Sequence, residues 1–174
     1  IKVKLSDSIA TTPAISLLTK MEDAAAGVVI TASHNPYNWN GFKIKGEFGG
    51  PAFPETIEKV EKELAKIMKL KKLPPQKPRG GGKSFKQLLE KGTISYISMK
   101  QRYLNDLMTK LDFDLIKNSG IRILYDVMHG AGQGVINDVL PNVVRLRDEY
   151  NPSFGGTNPE PIAQNLQELI RRVK

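Results

Sequence analysis

Gly27-Val28-Val29-Ile30 runs directly into Thr31-Ala32-Ser33-His34-Asn35-Pro36. The four apolar residues predict a buried strand. Asn35 and Pro36 predict a turn after it, by side-chain hydrogen bonding and by a fixed φ. Ser33 is thereby placed just past the carboxyl end of a strand, where open α/β sheets carry their chemistry. Seven to ten residues on from Ser33, Asn40-Gly41-Phe42-Lys43 predicts a second turn and a strand bearing a cation. A serine, a histidine and a lysine are thus gathered near one strand end.

Working outward, Thr11-Thr12-Pro13 predicts a helix start, with Ile15, Leu18 and Met21 on one apolar face. Ile1 to Leu5 predicts a short strand. Pro54 opens a helix with the stripe Ile57, Val60, Leu64 and Ile67. Pro74, Pro75, Pro78 and Gly80 to Gly82 predict a linker over 74–90, separating a unit at 1–73 from a unit at 91–174. Beyond it we expect a helix over Ile97 to Leu111, strands at Ile121 to Tyr125 and Val143 to Leu146, and helices after Gly130 to Gly134 and from Ile162 to Val173. Strands alternating with helices predict an α/β fold with a largely parallel sheet in each half.

Composition narrows the function classes. The chain has 174 residues, 40% hydrophobic and 25% charged, in the ordinary globular range. No apolar run approaches the ~18 residues of a membrane span. Cysteine is absent, which removes disulfides and thiolate chemistry and makes a cytoplasmic location the economical expectation. The net charge of +8 raises nucleic-acid binding. However, the basic stretch Lys66 to Arg79 holds no aromatic for base stacking, so no nucleic-acid partner is expected. Gly82-Lys83-Ser84 imitates a nucleotide loop, but the required earlier glycine is Lys77 and prolines stand where a strand is needed.

Taken alone, Ser33 reads either as a turn serine bonded locally or as a nucleophile. The Gly-x-Ser-x-Gly elbow of hydrolases is absent. Neighbouring side chains usually diverge, so no direct Ser33–His34 dyad is expected. Lys43 reads as a solvated lysine or a phosphate partner. Asp126 and His129, flanked by glycines, read as a structural strand-to-helix turn rather than a metal pair. Asp112 and Asp114 read as helix caps. Trp39 reads as packing for the loop.

Thr31 to Pro36 followed by Asn40 to Lys43 closely resembles the active-site loop of the α-D-phosphohexomutase superfamily, the phosphoglucomutases and phosphomannomutases. Thr12-Pro13-Ala14, Asp126 to Gly132, Phe154-Gly155-Gly156, Pro159-Glu160-Pro161 and Asn165-Leu166 resemble further segments of it, in the same order. The resemblance implies two three-layer α/β/α units with mixed, largely parallel sheets, the first incomplete. It implies that Ser33 carries a phosphoryl group, and that hexose 1- and 6-phosphates interconvert through a bisphosphorylated sugar. It gives His34 and Lys43 catalytic parts, and Thr31, Asn35 and Lys43 phosphate contacts. It implies Mg2+, with a phosphoserine oxygen at Ser33 as a ligand. The family's Asp-Gly-Asp-x-Asp-Arg metal loop does not occur in the sequence. A portion of such an enzyme, with little mutase activity alone, is therefore expected, and a non-catalytic phosphosugar-binding or protein-interaction module is the alternative. Phe42, Gly49-Gly50-Pro51 and Phe154-Gly155-Gly156 look more like the glucose/mannose branch than the glucosamine branch.

Overall fold

A computed structural model describes residues 1–69 and 83–174. The first strand, β1, is Val3–Ser6. Helix α1, Thr12–Met21, starts where Thr11 accepts a hydrogen bond from the Ala14 amide (3.4 Å) and Pro13 occupies the first turn. It buries Ala14, Leu18 and Thr19, while Met21 stays 47% exposed. Strands β2, Ala26–Ile30, and β3, Phe42–Gly46, pair antiparallel with Val29 opposite Lys43 and Ile30 opposite Phe42. The strand read as buried is covered on one face only. Val29 points inward at 6% exposure, whereas Val28 and Ile30 are 49% and 60% exposed. Period-two alternation puts the two on the opposite face from Val29. Helix α2, Pro54–Lys69, forms as its stripe predicts, but Val60, Leu64 and Ile67 remain exposed.

Of the expected linker, residues 74–82 lie outside the described residues. Its end is helical: α3, Phe85–Glu90, begins at a capping box in which the Gln87 amide donates to the Ser84 hydroxyl (3.2 Å) and the Gln87 side chain accepts from the Ser84 amide (2.8 Å). Strand β4, Ile94–Ile97, pairs parallel with β1, Val3 opposite Ile94. Helix α4, Met99–Lys110, packs on α1, and Glu22 at the end of α1 pairs with both Lys4 and Arg102. The segment after the expected linker thus packs against the elements that precede it. A four-residue strand gains its stability from a partner ladder, and β1 offers one.

Helix α4 also faces the other way. Its Leu104, 1% exposed, clusters with Val139, Leu140 and Val143, and with half-buried Phe113, Ile116 and Ile123. Asp112 caps α5, Phe113–Asn118, by accepting from the Leu115 amide (2.8 Å), and Asp114 pairs with Lys117 (3.2 Å). Strands β5, Leu124–Asp126, and β6, Val144–Leu146, are parallel. The helix expected after Gly130 is a run of turns. Gly134 takes φ 62°, and its amide donates to Asp148 (2.8 Å) instead of to a helical carbonyl. The closing helix, α6, is Gln167–Val173, shorter than expected at its start. There the Asn165 side chain donates to the carbonyl of Glu160 (3.0 Å). The architecture is mixed α/β, with parallel pairs β1–β4 and β5–β6 and the antiparallel pair β2–β3.

Candidate active site

The loop between β2 and β3 is closed by its own backbone. The Thr31 amide donates to the Gly41 carbonyl (2.9 Å), holding the two ends together. A Cβ at Gly41 would lie 2.7 Å from the Thr31 carbonyl oxygen, so only glycine fits this approach. Inside the loop, the Asn35 amide and side-chain nitrogen both donate to the Ala32 carbonyl (3.1 and 2.9 Å). Thr31 Oγ1 accepts from the Ser33 amide (3.0 Å).

These bonds hold Ser33 at φ 58°, in the left-handed region. Non-glycine residues are uncommon there and concentrate at functional sites. The exposed Ser33 hydroxyl lies 3.4 Å from His34 Nδ1. The divergence expected of adjacent side chains does not occur. At that length the contact is a loose one.

Thr31, Ser33, His34 and Lys43 line one cleft of about 710 Å3, with Thr11 and Thr12 from the start of α1. The exposed Lys43 reaches it from β3, opposite the buried Val29. Asn35 is not among the lining residues; its amide is committed to Ala32. Trp39, 63% exposed, lines the cleft rather than packing the loop.

The far wall comes from the turns after β5 and β6: Asp126, His129 to Gln133, Tyr150 and Asn151. Sequence reading did not single out Gln133, Tyr150 or Asn151. The glycines from Gly130 to Gly134 were the available signal. Asp126 is fully engaged. Arg147 grips both its carboxylate oxygens, and the Met128 amide donates to Oδ1 (3.1 Å). Arg147 also donates to the Asn165 carbonyl (3.1 Å), and the Asp126 hydrogen bond pushes its ionisation above the ordinary arginine value. His129 Nδ1 faces the Glu149 carbonyl and carboxylate, each at 3.2 Å. Both residues thus serve the turn. Burial, helped by the Asp148 charge, raises the Tyr125 phenol above its ordinary value.

Among the described residues, the one carboxylate on the cleft wall is bound to arginine, which leaves Lys43 as the free charge there. This suits an anion. It does not suit a resident cation: no group of three or more His, Asp or Glu among the described residues could hold a metal. Among the described residues, no helix is long and apolar enough to cross a membrane.

Residues 1–71 match the family model "Phosphoglucomutase/phosphomannomutase, alpha/beta/alpha domain I", and residues 101–174 match that for domain II. A probable phosphoglucosamine mutase of Methanosphaera stadtmanae is 32% identical over 173 residues, 94% of this chain and 34% of that protein. A phosphoglucomutase of Staphylococcus haemolyticus is 31% identical over 171 residues, 92% of this chain and 30% of that one. A putative phosphomannomutase from Thermus thermophilus superposes with a TM-score of 0.78 at 28% identity, covering 99% of this chain and 37% of that chain. The chain thus spans about a third of the length of these relatives. With both domain models matched in order along it, the chain belongs to the phosphoglucomutase/phosphomannomutase family.

Proposed function

We propose that this chain carries the phosphoryl-transfer loop of a phosphohexomutase, with Ser33 as the carrier. Phosphorylated Ser33 gives its phosphoryl group to a free hydroxyl of a hexose monophosphate. The Ser33 Oγ–P bond breaks as the sugar O–P bond forms, and the sugar hydroxyl proton passes to a base. The bisphosphorylated sugar then returns its other phosphoryl group to Ser33, and the 1- and 6-phosphates have exchanged. Such a transfer depends mainly on alignment and on positive charge around the phosphoryl oxygens. Lys43 supplies that charge and is the acid/base candidate, His34 adjoins the carrier oxygen, and Thr31 and Asn35 hold the loop in its shape. The magnesium implied by the family would need further ligands, because this chain's described residues do not make its site.

The carrying observation is the exposed hydroxyl of Ser33, held in a strained backbone conformation on a cleft whose free charge is a lysine. The reading extends to hexose phosphates as ligands, no nucleic-acid or membrane partner, and a cytoplasmic setting. Mass spectrometry tests it on this chain joined to a metal-loop domain of the family, after incubation with Mg2+ and a hexose 1,6-bisphosphate. Phosphate on Ser33, lost in Ser33→Ala, is expected. Phosphate on a different residue, or none while the bisphosphate is bound, overturns it. A non-catalytic phosphosugar-binding module is the second reading, favoured by the lack of a metal-holding carboxylate set among the described residues. It predicts binding without transfer.

A further inference from the structure

The loop that holds Ser33 ends in Asn40-Gly41, the single place in the sequence where an asparagine precedes a glycine. We propose that Asn40 is a spontaneous modification site, whose side-chain amide is lost with time to leave a carboxylate on the cleft wall. The chemistry needs an exposed asparagine and an unhindered amide nitrogen following it. Asn40 is exposed and lines the cleft. Its Oδ1 accepts from the Gly41 amide (3.1 Å), so the side chain already folds back onto the attacking nitrogen. Gly41 has no Cβ to obstruct the approach.

The step balances without an oxidant or reductant. The Gly41 nitrogen gives up its proton to solvent base and bonds to Asn40 Cγ. The Cγ–Nδ2 bond breaks, and Nδ2 leaves as ammonia. Water then opens the five-membered imide at either carbonyl. One opening yields aspartate. The other yields isoaspartate, with the main chain rerouted through the side-chain carbon just ahead of β3. Either product lowers the formal net charge of +8 by one. It also puts an unpaired anion three residues from Lys43, across the cleft from Asp126, the existing carboxylate among the described lining residues, which is already paired.

Other asparagines lack this combination. Asn35, Asn151 and Asn158 precede proline, whose nitrogen carries no proton to lose. Asn118 precedes Ser119 and Asn38 precedes Trp39, whose side chains crowd the attack. The turn accounts for this labile pair. The approach to Thr31 demands glycine at 41, and the asparagine oxygen satisfies that glycine's amide.

The test is ageing of the folded chain at mildly alkaline pH, beside a synthetic peptide covering 37–44. The proposal does not depend on Ser33 carrying phosphate, and neither does this measurement. Expected are a cation-exchange species one charge less basic, co-eluting in part with Asn40→Asp, and aspartyl and isoaspartyl peptides that map to Asn40. The rate should lie within several-fold of the peptide's, and Asn40→Gln should abolish the species. An intact amide at Asn40 while the peptide converts, or earlier conversion at Asn118, would overturn the proposal.

Discussion

Replacing Ser33 by glycine should leave the protein more stable than replacing it by alanine. The backbone at Ser33 sits at φ 58°. A side chain in that region costs about 1–2 kcal/mol through contact of Cβ with the carbonyl that follows. Glycine escapes this cost but loses more freedom on folding, by about 0.4–1 kcal/mol relative to alanine. S33G should therefore exceed S33A by about 1 kcal/mol. Both variants lose the hydroxyl and its 3.4 Å approach to His34, so that contact cancels in the comparison. Ser33 is exposed, so burial cancels as well. Urea unfolding reads the difference directly. With a slope of about 2 kcal/mol per molar, the midpoints should stand about 0.5 M apart. Neither variant should accept phosphate. The gap should narrow in a Thr31→Val background, which removes the acceptor for the Ser33 amide (3.0 Å). Equal midpoints, or alanine above glycine, would mean that the loop relaxes to ordinary φ, and the strain argument for this serine would fail.

Leu104→Ala should cost about 2–5 kcal/mol in urea unfolding, because Leu104 is 1% exposed inside the cluster of Val139, Leu140 and Val143; a loss under about 1 kcal/mol would mean the site collapses freely. Asp126→Asn should cost about 3 kcal/mol, the low end for breaking a buried pair, since the Asp126 side chain is 2% exposed but Arg147 is 23% exposed. Adding Arg147→Met should restore part of that stability in a double-mutant cycle. Tyr125 is held neutral in the fold, chiefly by burial and then by Asp148. The unfolded phenol ionises first, so stability should be constant below its ordinary value of 10.0 and fall as pH rises beyond it. Unfolding midpoints across that range should show the fall in the wild type and flatten in Tyr125→Phe.

What was legible in the sequence is what local chemistry specifies. The Ser33 loop is closed by bonds among residues 31 to 41, so Asn35-Pro36 and Asn40-Gly41 are legible as turns without the rest of the fold. The start of α1 was legible for the same reason: Thr11 and Pro13 act within one turn. Where the deciding partner is distant, reading failed. The segment after Gly130 has a helical apolar pattern, and it does bury Val139 and Leu140. It stays a chain of turns because Asp148 and the Arg147 carbonyl take up the Gly134 and His129 amides. The strand at Ile94–Ile97 is not legible in this way, and its last residue fits the apolar pattern of the helix that follows. Nothing within those four residues names β1 as their neighbour. The cleft divides along the same line. Its Ser33 wall is written in one continuous loop, while its far wall exists only once Arg147 has reached across from the end of β6 to grip Asp126 at the end of β5. That division has a mechanical consequence. The Ser33 wall keeps its shape by bonds within itself, so breaking the Asp126–Arg147 pair should disturb the far wall and leave the serine's backbone where it is.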